Sequence, residues 1–273
     1  MKRSGVMGKF FVFFMSLAVL ALSGAALTGE AAEAAKKIKL GATSGPQAEV
    51  AEAAKKVAAS KGLEIEIVEF SDYVQPNAAL ADGELDANAY QHLPYLQNTI
   101  NNTGYKLVAI GNTVLLPMAG YSKRIQSLGE LKDGATVTIP NDPSNGGRAL
   151  LLLAAQGLIE LNPAAGILPT VADVTKNGRN LKFIELDAAQ LPRTLDDTDV
   201  AVINTNYAIE AGLVPTRDAL FIESKESPYV CLIAVREEEK DRPEFKILVE
   251  SYQNDEVKKF VEERFKGSLA AGW

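Results

Sequence analysis

The sequence holds one cysteine, one histidine and one tryptophan in 273 residues, and aromatic side chains make up only 7% of it. Each scarcity removes a class of protein. The lone cysteine, Cys231, excludes an intramolecular disulfide, so stability has to come from a hydrophobic core. One histidine and one cysteine cannot supply the nitrogen and sulfur ligands of a zinc site, so no metal is expected. Basic residues are outnumbered, 28 against 35 acidic, for a net charge of -7, and no basic cluster marks a nucleic-acid face. Neither Gly-Lys-Ser/Thr nor G-x-G-x-x-G occurs, which argues against nucleotide and dinucleotide binding, and no cofactor is expected. No cysteine follows the N-terminal apolar run, which removes the usual point of lipid attachment.

What is present begins with a leader. Residues 1–35 join a basic start (MKRSGVMGK), an apolar run (FFVFFMSLAVLAL) and a small-residue segment (SGAALTGEAAEAA), the pattern of an export signal. Cleavage after Ala26 or Ala34 fits, with Ala34 preferred because ordered-looking chain starts at Lys36; the alternative is an uncleaved anchor over residues 10–27.

Beyond the leader, strand-like and helix-like segments alternate. KIKLGAT leads into PQAEVAEAAKKVAAS, where Val50, Ala54, Val57 and Ala58 keep helical spacing. LEIEIVEF alternates at period two, and LDANAY, YKLVAIG and LLPMAGYS read as further strands. A second series follows: ATVTIP, the helix RALLLLAAQGL, LKFIEL, a helix around AAQLPRTL, and VAVINT. The closing strand YVCLIAVR and helices PEFKILVESYQ and DEVKKFVEERF return to the first series. The expected class is α/β with two lobes, residues 36–120 plus 226–273 and residues 121–225, joined by two crossover strands with a ligand cleft between them.

Three segments are candidates for chemistry. In TIPNDPSNGGRALLLL a strand runs through Asn-Asp-Pro and a glycine pair into a helix. Free backbone N–H groups there, with Arg148 adding a bidentate grip, make an anion seat, or else the segment is a capped helix with a surface arginine. DVAVINTNYA ends an apolar strand in Asn204, Thr205 and Asn206, at the strand end where α/β sheets collect ligands, or forms a plain Asn turn. Tyr73, Tyr90, His92 and Tyr95 offer flat, partly polar surfaces that either grip an apolar or thioether group or sit as core aromatics under a helix.

Taken together, SDYVQPNAAL, DANAYQHLPYL, GYKLVAIGNT, AGYSK, IPNDPSNGGRALLLL, GILPTVADV, QLPRTLDD, AVINTNYA and SPYV, in this order and spacing, resemble the methionine-binding proteins of ABC importers, the NlpA lipoprotein family. The resemblance implies a type II-like periplasmic-binding-protein fold that closes on methionine, L or D, or a close analogue. The ligand would pass to a membrane permease driven by an ATPase subunit, and the receptor itself would be extracytoplasmic, monomeric and without catalytic activity. It further implies that Arg148 takes the ligand carboxylate with Asn145 nearby, that Asn204 and Asn206 hold the polar head, and that Tyr73, Tyr90, His92 and Tyr95 line the side-chain slot.

Two positions depart from the family pattern. Tyr90 stands where relatives often have Phe, which adds a hydroxyl in need of a partner. Cys231 stands where the motif usually reads S-P-Y-V-N and the Asn contacts the ligand's polar head; losing that amide costs roughly 1.5–3 kcal/mol. Either another group or a water substitutes, or the receptor takes a different ligand such as a methionine-containing short peptide. Rival expectations are an enzyme on the same scaffold with His92 as general base, and a surface adhesin with a vestigial cleft.

Overall fold

A computed structural model describes residues 36–273; the leader, its cleavage sites and the anchor alternative lie outside the described residues. The chain runs β1 (Lys36–Thr43), α1 (Pro46–Ser60), β2 (Leu63–Phe70), α2 (Gln75–Ala81), β3 (Ala87–His92), α3 (Leu93–Thr103) and β4 (Leu107–Leu115). It continues through β5 (Ala119–Tyr121), β6 (Thr136–Pro140), α4 (Pro143–Ala155), β7 (Glu160–Leu161), β8 (Val174–Lys176), β9 (Lys182–Leu186) and β10 (Val200–Ile203). Then come α5 (Thr205–Glu210), α6 (Pro215–Asp218), β11 (Phe221–Ile222), β12 (Val230–Arg236), α7 (Pro243–Tyr252), α8 (Asp255–Phe265) and β13 (Ala270–Ala271).

Local chemistry explains most of these elements. In β2, Leu63 and Ile65 are buried while Glu64, Glu66 and Glu69 are exposed, the alternation of a strand with one face toward solvent. In α1, Pro46 opens the helix, where its missing N–H costs nothing, and Val50, Ala51, Ala54 and Ala58 form the buried stripe. Proline also marks where local expectation fails. The strand expected over LLPMAGYS is broken around Pro117, with β4 ending at Leu115 and β5 starting at Ala119. The helix expected around AAQLPRTL is a 3-10 coil over Ala188–Asp196 with Pro192 inside it, because Pro192 has no N–H for an α-helical bond.

The strands form two main sheets, ordered β13-β4-β12-β3-β1-β2 and β11-β5-β10-β6-β9, with β7 and β8 as a separate pair. β12 lies between β3 and β4 and runs antiparallel to both, whereas β1 is parallel to β2 and β3. Helices cover both faces of the central strands, so β3, β6, β10 and β12 are buried on both sides. In β12, Cys231, Ile233 and Val235 join the core under α1, α7 and α8, while Leu232 and Ala234 join the one under α2 and α3. In β10, Val200 and Val202 pack with α4, while Ala201 and Ile203 pack with α5 and the 3-10 coil.

The chain changes sheet through two short segments, 116–118 and 223–229. They are tied together at Glu223: its backbone N–H donates to the Met118 carbonyl at 2.8 Å, and its carboxylate accepts from the Met118 N–H at 3.1 Å. Among the described residues no helix is long and apolar enough to cross a membrane.

Candidate functional site

A cavity lies between the sheets, lined on one side by Gln47, Tyr73, Tyr90, His92 and Cys231 and on the other by Asn145, Arg148, Asn204 and Asn206. Tyr95 completes the aromatic wall, so the cavity brings together all nine site residues expected from sequence. It also includes Gln47, Gln91 and Leu116, which sequence reasoning missed, and Thr205, which the sequence had placed with Asn204 and Asn206 at the polar strand end. Gln47 carried a usable signal, since it follows the carboxyl end of a strand, as Asn204 does.

The segment ahead of α4 is a capped helix, not an open anion seat. Asp142 is the N-cap, and its carboxylate accepts from the Asn145 backbone N–H at 2.9 Å and from the Ser144 hydroxyl at 2.9 Å, so the helix terminus is already served by an internal anion. The glycine pair lies within the helix, and its role is close approach. A Cβ on Gly146 would lie 2.8 Å from the Pro140 carbonyl oxygen, and one on Gly147 would press on Leu168 and Pro169.

Arg148 is 4% exposed and held on three sides. Its Nε donates to Glu223 at 3.0 Å, its Nη2 donates both to Glu223 and, at 2.9 Å, to the Leu116 carbonyl, and the guanidinium lies 4.5 Å from the Tyr229 ring centre. The bidentate face expected to meet a ligand is therefore on Glu223, and Nη1 is the nitrogen outside these bonds. No sequence pattern pointed to Glu223, which sits in an ordinary-looking polar run 75 residues away.

His92 has a defined state. As N-cap of α3 its Nδ1 accepts the Tyr95 backbone N–H at 3.2 Å, so the ring proton is on Nε2, which donates to Asn145 Oδ1 at 3.2 Å. Burial, reinforced by the charge of Arg148, pushes its pKa down to about 3. A histidine neutral at ordinary pH with both nitrogens engaged is not poised as a general base, which removes the main ground for the enzyme alternative.

That depressed value has a consequence for stability. Between pH about 6.5, where the unfolded imidazole titrates, and about 3, the unfolded chain takes up a proton that the native chain refuses, so acidification through this window favours unfolding. The contribution reaches about 1.4 kcal/mol per pH unit at its steepest. His92→Gln is expected to lose less stability than the unaltered protein between pH 6.5 and pH 4, measured by urea unfolding; identical slopes would show that His92 is not the group responsible.

The other polar groups divide between structural pairing and open valence. Asn145 is fully engaged: its Nδ2 donates to Asp142, and its Oδ1 accepts from His92 and, at 2.9 Å, from Asn204 Nδ2. Tyr73 donates to Asn206 Oδ1 across the cleft. The Tyr90 hydroxyl finds its partner in the Tyr73 carbonyl at 2.8 Å, shared with Tyr95 at 2.9 Å. The Cys231 thiol, kept protonated by burial that raises its pKa to about 12, donates to the Tyr90 carbonyl at 3.5 Å. Left buried without partners are Gln47 Oε1 and Asn204 Oδ1, both acceptors, and Asn206 Nδ2, a donor. Among the described residues no group of three or more His, Cys, Asp or Glu converges on a metal position.

Comparison with known proteins gives a consistent result. The model of the NlpA lipoprotein family matches residues 38–273. The D-methionine-binding lipoprotein MetQ of Escherichia coli (strain K12) is 54% identical over 239 residues, covering 86% of this chain and 88% of that protein. Among solved structures, a nutrient-binding protein from Burkholderia cenocepacia bound to methionine matches with a TM-score of 0.85 and 52% identity, covering 86% of this chain and 100% of that one. A periplasmic substrate-binding protein of an ABC transporter from Coxiella burnetii matches with a TM-score of 0.83 and 47% identity, covering 86% and 100%.

Proposed function

The chain belongs to the NlpA lipoprotein family, and from that premise we propose that it is the extracytoplasmic solute-binding protein of an ABC importer, with methionine as its ligand and a membrane permease and ATPase as its partners. The observation that carries this reading is the set of unpaired polar atoms in the cavity. Buried polar groups are as a rule hydrogen-bonded, and of the seven buried side-chain atoms left without a partner among the described residues three converge here, two acceptors and one donor beside a fixed guanidinium, where a zwitterion would complete the bonding.

Arg148 and Asn206 Nδ2 take the carboxylate, Asn204 Oδ1 takes part of the ammonium, and Tyr73, Tyr90, Tyr95 and His92 enclose the thioether tail, sulfur against aromatic rings contributing about 0.3–1.5 kcal/mol per contact. Asn145 orients His92 and Asn204 rather than the ligand. Cross-cleft bonds from Tyr73 to Asn206 and from His92 to Asn145 favour a free amino acid over a short peptide, which would have to part them.

Residues 1–230 contain no cysteine, and Cys231 is buried in β12, so the lipid attachment of the family's lipoproteins has no acceptor there. Extracytoplasmic placement then rests on export through the leader, with cleavage after Ala34 or retention of residues 10–27.

Mass spectrometry of small molecules released by denaturing the purified protein, followed by calorimetry of the refolded, ligand-stripped chain with L- and D-methionine, tests the reading. Methionine is expected in the first measurement and saturable binding in the second; no binding of either enantiomer refutes it.

A further inference from the structure

We propose that Gln47 supplies the amide that Cys231 cannot, its carbonyl oxygen holding the amino group of the bound amino acid. The assignment rests on the receptor reading above and names a residue that reading does not use.

Gln47 is 5% exposed, in the first turn of α1, and lines the cavity together with Cys231. The two side chains meet at one atom: Gln47 Nε2 and the Cys231 thiol both donate to the Tyr90 carbonyl, each at 3.5 Å, one from α1 and the other from β12. A carbonyl accepts only, so it fixes which end of the Gln47 amide faces it. The NH₂ group turns toward Tyr90, and Oε1 is left buried with no partner.

A buried amide oxygen held in this way is costly unless something donates to it. The cavity's open valences then sort by charge. Asn206 Nδ2 and the guanidinium are donors suited to a carboxylate, whereas Gln47 Oε1 and Asn204 Oδ1 are acceptors suited to an ammonium. Cys231, a weak acceptor whose hydrogen is directed at Tyr90, adds little to the second group. Gln47 thus offers, from the neighbouring helix, the acceptor that the Cys231 thiol on β12 does not.

Calorimetry of the full refolded chain with L-methionine and with 4-(methylthio)butanoate, which lacks the amino group, tests this. Gln47→Met keeps the side chain's length and removes its amide. It is expected to weaken methionine binding tenfold or more while changing the amine-free acid by less than about threefold, and adding Cys231→Asn is expected to recover most of the loss. Methionine affinity equal to that of the unaltered protein overturns the assignment. So does an equal loss for both ligands, which indicates a packing role alone, or a double variant no better than Gln47→Met. Failure of the unaltered protein to bind methionine overturns the receptor reading and this assignment with it.

Discussion

Arg148→Ala is expected to weaken methionine binding by about 2–5 kcal/mol, roughly thirtyfold at the least, in calorimetry of the ligand-stripped protein. Two terms act in the same direction. The first is loss of a guanidinium already fixed by Glu223, the Leu116 carbonyl and the Tyr229 ring, so that little ordering remains to be done when a ligand arrives. The second is what remains: the Glu223 carboxylate, with its side chain only 11% exposed, loses its counter-ion and faces the incoming ligand carboxylate as a like charge. Arg148→Lys is expected to fall in between, because an ammonium keeps the charge but cannot hold Glu223 through two nitrogens and still reach a second anion. Affinity unchanged in Arg148→Ala would remove this residue from the binding site.

Glu223→Gln is expected to destabilise the ligand-free protein by about 3–5 kcal/mol, because it leaves the guanidinium buried without its negative partner. The ligand-bound protein should lose less, since the methionine carboxylate restores an anion beside Arg148. The rise in Tm on saturation with methionine should therefore be larger in the variant than in the unaltered chain. A role confined to tying segments 116–118 and 223–229 together makes the opposite forecast, with free and bound protein destabilised alike. Thermal unfolding with and without methionine separates the two, and equal shifts would exclude electrostatic coupling between Glu223 and the ligand.

The same contrast between local and distant partners explains how much of the protein was legible beforehand. The period-two burial of β2 and the apolar stripe of α1 follow from side chains a few residues apart, and both were readable. So was the polar ending of β10 at Asn204, because strand ends are where a packed sheet opens. His92 shows the limit. That it lay near the ligand was legible, but its neutral Nε2–H state depends on Tyr95 within its own helix and on Asn145, 53 residues on, in the other lobe. The capped start of α4 was left open for a similar reason, since Asp142 can serve a helix or stand aside for a ligand.

By itself the sequence determined the α/β alternation, the two sheets' worth of strands, the exclusion of an intramolecular disulfide, and nine residues that line one cavity. Tertiary structure alone decided that β12 inserts between β3 and β4, that Glu223 occupies the fork of Arg148, and that Gln47 and Cys231 share the Tyr90 carbonyl. Periodicity records whether a side chain is buried. Which distant group it is buried against is set by the pairing of strands and the approach of the lobes, and that choice fixes the charges, tautomers and open valences on which recognition depends.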